Sequence, residues 1–181
     1  MDFSLTSEQK ELQSVAREFA QKEMTSVAKE LEKKKEFLSV EWFDRYAEMG
    51  FLGLNINKKY GGLGLSNIDA LLVLEEFAKV SSVVAWPIFE SAVGPIKAIE
   101  HFADEDLKQR VIPEVCKGNL FVAVSMSEPN AGSALTDLTT KVEEKDGNLV
   151  LKLSSMKFFL FFLSDEEINS FFRTLYLLLP K

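Results

Sequence analysis

The sequence predicts a mainly α-helical protein, with an N-terminal helical domain of about five helices followed by the start of an antiparallel β-domain. Two patterns support this fold class. Apolar residues recur at helical spacing through residues 1–118. Around Asp146-Gly147, a dipeptide typical of hairpin turns, apolar and polar residues alternate instead. With 181 residues, 46% of them hydrophobic and 27% charged, the chain is large enough to bury a core.

The first two predicted helices are amphipathic. The first begins at Thr6, where Gln9 completes a capping box. Its apolar stripe consists of Leu12, Val15, Ala16, Phe19, Met24, Val27 and Leu31. The second helix begins near Ser39 and ends at Gly50.

A glycine-rich loop, Tyr60-Gly61-Gly62-Leu63-Gly64, precedes the third predicted helix. We interpret it as a tight connector, because Asn67 occupies the third glycine position of a dinucleotide fingerprint and the preceding strand signal is weak. Ser66 caps the helix, with Asp69 in its first turn. We expect this helix to be central, because it is apolar on more than one side, at Ile68, Leu71, Leu72, Leu74, Phe77 and Ala78.

Two further helices complete the predicted helical domain. The fourth is expected to begin after Pro87, with a tolerable kink at Gly94-Pro95. The fifth runs from an Asp104 cap to Gly118. Cys116, at the end of this helix, is interpreted as a packing residue, because a helix C-terminus disfavours a thiolate.

The residues after the helices predict β structure around a polar loop. Leu120 to Ser127 is predicted to form a strand that ends in Glu128-Pro129-Asn130-Ala131-Gly132-Ser133. Small hydroxyl and glycine residues after a strand can present N–H and O–H groups to a polar ligand. On local chemistry alone, an ordinary exit from a strand into a turn explains the loop better. A hairpin follows, in which Leu138, Thr140 and Val142 precede the turn and Leu149, Leu151 and Leu153 follow it.

Composition excludes several functional classes. The net charge of −7 provides no basic patch for nucleic acid or for an anionic membrane surface. No apolar run approaches the roughly 20 residues of a membrane helix, and the N-terminus resembles no targeting signal, so we expect a cytoplasmic protein without membrane contact. One cysteine and one histidine, Cys116 and His101, leave no intrachain disulfide and no plausible metal site.

The sequence divides into a helical domain at 1–118, a partial β-domain at 119–153 and an atypical apolar tail at 154–181. The tail contains two phenylalanine clusters between Phe158 and Phe172, which do not form one clean stripe. It either covers the open face of the sheet or is a foreign, out-of-frame end that would be sticky. We favour the second interpretation.

The order of these motifs resembles the N-terminal part of the acyl-CoA dehydrogenase family over about residues 3–153. The motifs are the Tyr60–Gly64 loop, the segment from Ser127 to Ser133 and the hairpin. The resemblance implies an N-terminal α-domain, a middle β-domain and a C-terminal helical bundle. It also implies FAD as cofactor, an acyl-CoA substrate oxidised at Cα–Cβ, an electron-transfer flavoprotein as partner, and a homo- or hetero-oligomer.

The resemblance also implies site residues. Ser127 corresponds to a family Thr whose hydroxyl and N–H approach the flavin pyrimidine edge. Val124, Ser125 and Met126 correspond to strand backbone along the flavin, and Ser133 to a loop position that contacts FAD and the CoA side of the substrate. Hydrogen-bond donors at that flavin edge stabilise the negative charge that develops on reduction.

The chain departs from the family pattern in three respects. Ala134 replaces a usual acid, and the residues after Lys152 lack the family's second flavin-contacting segment. The third departure is that the C-terminal bundle and the catalytic Glu are absent, so we assign no catalytic residue and interpret Glu128 as structural. We therefore expect a truncated or split enzyme that is inactive alone. The alternatives are a non-catalytic helical subunit that pairs with a flavoprotein chain, and a related flavin-dependent oxidase or monooxygenase.

Overall fold

The computed structural model of the protein describes residues 4–123, 127–145 and 148–152. The chain divides into two compact units, Met1–Ala123 and Val124–Lys181. Within the described residues, the first unit is entirely helical apart from its connections. Its α-helices are α1 (Ser7–Phe19), α2 (Thr25–Lys34), α3 (Val40–Glu48), α4 (Asn67–Ala78), α5 (Ser82–Ile88), α6 (Pro95–Phe102) and α7 (Glu105–Cys116).

The predicted count of about five helices is confirmed, with two of these helices interrupted by π-helical turns. α1 and α2 form one continuous helix through the π turn Ala20–Met24. The capping box of Thr6 and Gln9 is present as predicted. Phe19 and Met24 are both buried although they lie five residues apart, because the wider π turn keeps both on the core side. Val15, predicted on the same stripe, is exposed.

An aromatic cluster forms the centre of the helical unit. Phe19, Tyr46, Phe51 and Phe77 pack edge to face or tilted, with ring centroids 5.1 Å apart for both Tyr46–Phe77 and Phe51–Phe77. The Tyr46 hydroxyl donates to the Val84 carbonyl at 3.0 Å, so its polar atom is satisfied inside the core. Burial raises the pKa of Tyr46. The cluster joins α1, α3 and α4 to the segment that follows α3.

The start predicted for the fourth helix was wrong. α5 begins at Ser82, with Ser81 as its cap, and contains Pro87. A proline inside a helix costs the hydrogen bond to the fourth preceding carbonyl, and here the helix widens into a second π turn, Phe89–Val93, directly afterwards. The predicted kink is a full break, because Gly94 leaves helical geometry and α6 starts at Pro95. A Cβ at Gly94 would lie 2.9 Å from the Phe89 carbonyl oxygen.

α4 was predicted to be a central helix because it is apolar on more than one side. This prediction is confirmed for one side of the helix only. Ala70, Val73 and Phe77 are buried, as a central helix requires. Ile68 and Leu71 are 58% and 50% exposed, so the second apolar side of α4 faces outward in this chain.

The second unit contains the predicted hairpin. β1 (Lys141–Lys145) pairs antiparallel with β2 (Asn148–Lys152), and Val142 lies opposite Leu151. The Asp146-Gly147 turn, Leu153 and the tail 154–181 lie outside the described residues.

The strand predicted from Leu120 to Ser127 was wrong where the structure describes it. Residues 120–123 and Ser127 belong to no strand. A strand needs a neighbouring strand to satisfy its backbone N–H and C=O groups, and the only sheet among the described residues is the two-stranded hairpin. Buried apolar character, as at Val122, comes instead from packing against the helical unit.

Candidate functional site

The polar loop after the helical unit is a closed turn. The Glu128 N–H donates to the Ala131 carbonyl at 2.8 Å, and the Ala131 N–H donates back at 3.1 Å. Pro129 and Asn130 form the tip between them. This pair of hydrogen bonds defines the loop without help from a longer sheet.

The carboxylate of Glu128 fastens this turn to the segment that leads into β1. One carboxylate oxygen, Oε2, accepts the N–H of Thr139 at 2.9 Å and the Thr139 hydroxyl at 2.7 Å. The other, Oε1, accepts the N–H of Thr140 at 2.6 Å. These contacts agree with the interpretation of Glu128 as a structural residue, because a carboxylate committed to three donors is poorly placed to act as a free base.

The loop places two hydroxyls at its surface. Ser127 and Ser133 are both exposed, at either end of the turn that Glu128 holds. A Cβ added at Gly132 would meet no atom within 4 Å, so the chain is open beside Ser133. Val124, Ser125 and Met126 lie outside the described residues, so the structure does not test their predicted role.

The described part of the loop fits the polar edge of a flavin in its chemistry. Two serine hydroxyls with room beside them can donate hydrogen bonds to an electron-rich ligand edge. Ala134, where the family usually has an acid, lies just before a 3₁₀ turn, Leu135–Asp137. The loop is therefore held through Glu128 rather than through an acid at position 134.

The glycine-rich loop is a connector, as its spacing predicted. The N–H groups of Leu63, Gly64 and Leu65 donate to the carbonyls of Gly53, Ile56 and Leu54 at 3.1, 2.8 and 2.9 Å. These three backbone donors are thus used within the protein and are not offered to a phosphate. Ser66 and Asp69 form the predicted cap and add a reciprocal capping box.

The remaining predicted groups behave as packing or surface residues. Cys116 is buried, and desolvation raises the pKa of its thiol to about 11. His101 is exposed on α6. Among the described residues, no group of three His, Cys, Asp or Glu side chains is arranged to hold a metal ion.

Sequence reasoning missed two carboxyl groups, one buried at Glu76 and one partly buried at Glu90. Glu76 lies in the core between Arg17 and Lys79, and the Arg17 guanidinium holds the pKa of its carboxyl below the usual range. Glu90 lies in the second π turn, where desolvation raises the pKa of its carboxyl to about 7. Periodicity could not reveal either group, because the surroundings of each carboxyl include residues that are distant in the sequence.

Comparisons with known proteins identify the class of this fold and then its family. Residues 6–119 match the family described as "Acyl-CoA dehydrogenase, N-terminal domain". The solved structure of the glutaryl-coenzyme A dehydrogenase glutaryl-CoA complex has a TM-score of 0.76 and 28% identity, covering 83% of this chain and 39% of that chain. This helical unit with its hairpin is therefore the N-terminal fold of those enzymes. The chain belongs to the acyl-CoA dehydrogenase family.

Two curated relatives show the extent of the match. The chain is 35% identical to 3-sulfinopropanoyl-CoA desulfinase of Cupriavidus necator, over 82% of this chain and 37% of that protein. It is 32% identical to mitochondrial isovaleryl-CoA dehydrogenase of Bos taurus, over 81% of this chain and 35% of that protein. The chain thus spans a little more than a third of the length of these relatives. Within its described part, no helix combines the length and apolar character needed to cross a membrane.

Proposed function

We propose that this chain supplies the N-terminal helical domain and one wall of the flavin site of an FAD-dependent enzyme that dehydrogenates an acyl-CoA thioester at Cα–Cβ. The observation that carries the proposal is the Glu128-fastened loop, which follows directly on a helical domain of the acyl-CoA dehydrogenase family. The two relatives and the solved structure named above all act on CoA thioesters according to their names.

Under this proposal, Ser127, Ser133 and the backbone of Val124 to Met126 hold FAD. When bound, FAD supplies an acceptor for two electrons. Ser127 donates a hydrogen bond where negative charge develops on reduction, and a donor aimed at developing charge stabilises the transition state. Ser133 contacts both FAD and the CoA side of the substrate. Glu128 acts as a positioning residue for both hydroxyls.

We further propose that a polypeptide of these 181 residues holds FAD weakly and has no turnover by itself. The resemblance assigns the catalytic base to a region of the family beyond the part that this chain matches. It also assigns reoxidation to an electron-transfer flavoprotein, which therefore stays a proposed partner. The cytoplasmic location expected from the sequence also stays a prediction.

A direct experiment is to purify the polypeptide and measure FAD affinity by fluorescence titration, together with acyl-CoA-dependent dye reduction. We expect weak FAD binding, a further loss on S127A, and no change on S82A, which removes an exposed hydroxyl from α5 of the helical unit. Equal affinity for the wild type and S127A would contradict the role of Ser127. Dye reduction by the polypeptide alone would contradict the proposed inactivity.

The reaction type needs its own test, because the two relatives differ in it by name. One is a desulfinase and the other a dehydrogenase. Should the purified polypeptide or its assembly with another chain turn over, product analysis separates these reactions. We expect the product to be an enoyl-CoA, formed together with a stoichiometric amount of reduced acceptor. The alternative outcome is release of sulfite from a sulfinoacyl-CoA without net reduction of an acceptor. The proposed reaction would then be desulfination instead of dehydrogenation, and the proposed substrate class would still be a CoA thioester.

A second candidate function, a non-catalytic helical subunit, is favoured by the outward apolar side of α4. Ile68 and Leu71 are at least half exposed, and Leu63 and Leu65 just before α4 are also exposed. Apolar side chains grouped along the sequence in this way are typical of a surface that contacts another protein. Size-exclusion chromatography with light scattering decides the matter: a monomer at all concentrations, unchanged by I68S or L71S, would contradict this candidate.

A further inference from the structure

A narrow, mainly apolar cavity in the helical unit is lined by one titratable residue, Glu90. The other lining residues come from five parts of the unit: Phe43 on α3, Leu52 after it, Pro87 and Ser91 around the second π turn, Val115 on α7, and Leu120, Phe121 and Val122 after α7. Apart from Glu90, no lining residue is titratable or charged. Within the described residues, no hydrogen bond or ion pair is present at the Glu90 carboxyl.

An isolated carboxyl in such a place favours its neutral form. Removing a carboxylate from water without a compensating donor disfavours the charged state. Desolvation is accordingly the cause that raises the pKa of Glu90 to about 7. Ser91, the one other polar lining residue, directs its hydroxyl to the Ile88 carbonyl at 3.4 Å and not to Glu90.

One wall of the cavity is a segment with few backbone restraints. Residues 120–122 belong to no helix or strand. The Leu120 N–H donates a hydrogen bond to the Glu114 carbonyl at 3.2 Å. After Leu120, the segment is held by side-chain packing. The Phe121 ring lies 3.8 Å from the Phe43 ring between centroids, and Val122 is only 6% exposed. Glu90 is already partly exposed, and detaching this segment would open the cavity and expose it further.

We propose that detachment of the segment Leu120–Val122 from the helical unit is coupled to loss of a proton from Glu90. The segment is held firmly under mildly acidic conditions, where Glu90 is neutral, and opens more readily as the pH rises to neutrality. The sign follows from linkage. The attached state binds the proton more tightly than the opened state, whose carboxyl has the ordinary pKa of about 4.3, so rising pH favours opening between these two pKa values.

The coupling has a consequence for the proposed flavin site, which rests on the proposed function. The segment runs directly into Val124, the first residue assigned to the flavin wall. Because the segment opens more readily at neutral pH, the residues that follow it would be held less firmly there. The chain would therefore bind FAD more weakly at neutral pH than at pH 6. The test below needs no flavin, so its failure and the failure of the proposed function are distinguishable.

Hydrogen–deuterium exchange of peptides covering residues 119–123 tests the coupling, after correction for intrinsic exchange. We expect the protection of the wild-type Leu120 amide, which donates to the Glu114 carbonyl, to fall by close to tenfold per pH unit between about pH 5 and 6.5, and to level off above about 7. In E90Q, which cannot ionise, the protection should be independent of pH. E41Q removes an exposed carboxyl from α3 and should follow the wild type.

Two results would overturn the proposal. One is protection of the wild-type segment that does not change with pH. The other is the wild-type pH dependence retained in E90Q. If E90Q fails to fold, E90M, which fills the same space without a polar group, replaces it under the same expectation. The wild-type profile by itself can overturn the coupling whatever the variants do.

Discussion

Arg17 holds Glu76 in a two-pronged ion pair that ties α1 to α4. Nε of Arg17 lies 3.0 Å from Oε2 of Glu76, and Nη2 lies 3.0 Å from Oε1. Only 1% of the Glu76 side chain is exposed. Lys79 adds a third contact at 2.8 Å. A buried carboxylate is tolerated here because its two oxygens are supplied with donors from two helices.

The variant R17A should destabilise the protein far more than an equivalent change at the surface. It leaves a buried carboxylate with Lys79 as its remaining ion-pair partner, at an expected cost of about 1–3 kcal/mol in the free energy of unfolding. R45A removes an exposed pair with Glu48 and should cost less than about 1 kcal/mol. Urea denaturation of both variants measures the difference, and equal losses would contradict the importance of the buried pair.

Acid unfolding provides a second test of the same pair. The hydrogen bonds from Arg17 lower the pKa of Glu76 in the folded protein, with desolvation opposing them and Lys79 reinforcing them. The stability from this shift is therefore complete above the unfolded pKa of about 4.3 and is lost as the pH falls through the lower folded pKa. In R17A, the loss of stability between pH 5 and 3 should be smaller than in the wild type. A loss as steep as in the wild type would show that other carboxylates dominate acid unfolding.

Two adjacent glycines in the connector should respond differently to alanine. A Cβ at Gly62 would lie 2.3 Å from the Ile56 carbonyl oxygen, so the backbone must shift, at about 3 kcal/mol. Gly61 has a φ of +88° but nothing within 4 Å, so G61A should cost about 1 kcal/mol from the backbone conformation alone. Thermal or urea unfolding ranks the two variants. If G61A and G62A lost equal stability, the backbone angle φ at Gly61 would be as important as the close approach of Gly62 to Ile56, which would contradict the expected ranking.

Local signals in the sequence were sufficient for the ends of most helices. The caps at Thr6, Ser66 and Asp104 and the stops at Gly50 and Gly118 depend on a few neighbouring residues, and all are present. The hairpin was equally predictable, since Asp146-Gly147 and the alternation around it determine the pairing. These features need no tertiary contact to be recognised.

Features that depend on packing were not predictable from the pattern. Phe19 and Met24 are five residues apart, and this spacing was a visible sign of the first π turn. A template of 3.6 residues per turn tolerates the spacing and therefore does not reveal the π turn. The fourth helix was expected to begin after Pro87, but it begins at Ser82 and contains this proline, although a proline inside a helix loses a hydrogen bond. The roles of Glu76 and Glu90 depend on partners or walls that are distant in sequence, which periodicity cannot reveal.

The variant E128Q should loosen the candidate site without unfolding the helical unit. An amide replaces one of the two carboxylate oxygens by a donor, so the N–H groups of Thr139 and Thr140 cannot both keep their acceptors. We expect amide exchange at one of these two residues to become at least about fivefold faster, corresponding to the roughly 1 kcal/mol of one lost hydrogen bond. E144Q, an exposed carboxyl in β1, is the control. Unchanged exchange in E128Q would contradict the fastening role of Glu128.

The thiol of Cys116 should remain unreactive in the folded protein up to pH 9. Burial is the main cause that raises its pKa to about 11, so only about one molecule in a hundred carries the reactive thiolate at pH 9. The side chain is also walled in, since a Cβ added at Gly53 would lie 2.4 Å from its sulfur. Labelling with a disulfide reagent should be slow at pH 8 and become complete within minutes in urea. Rapid labelling of the native protein at pH 8 would show that the end of α7 opens readily, and it would contradict the packing role of this cysteine.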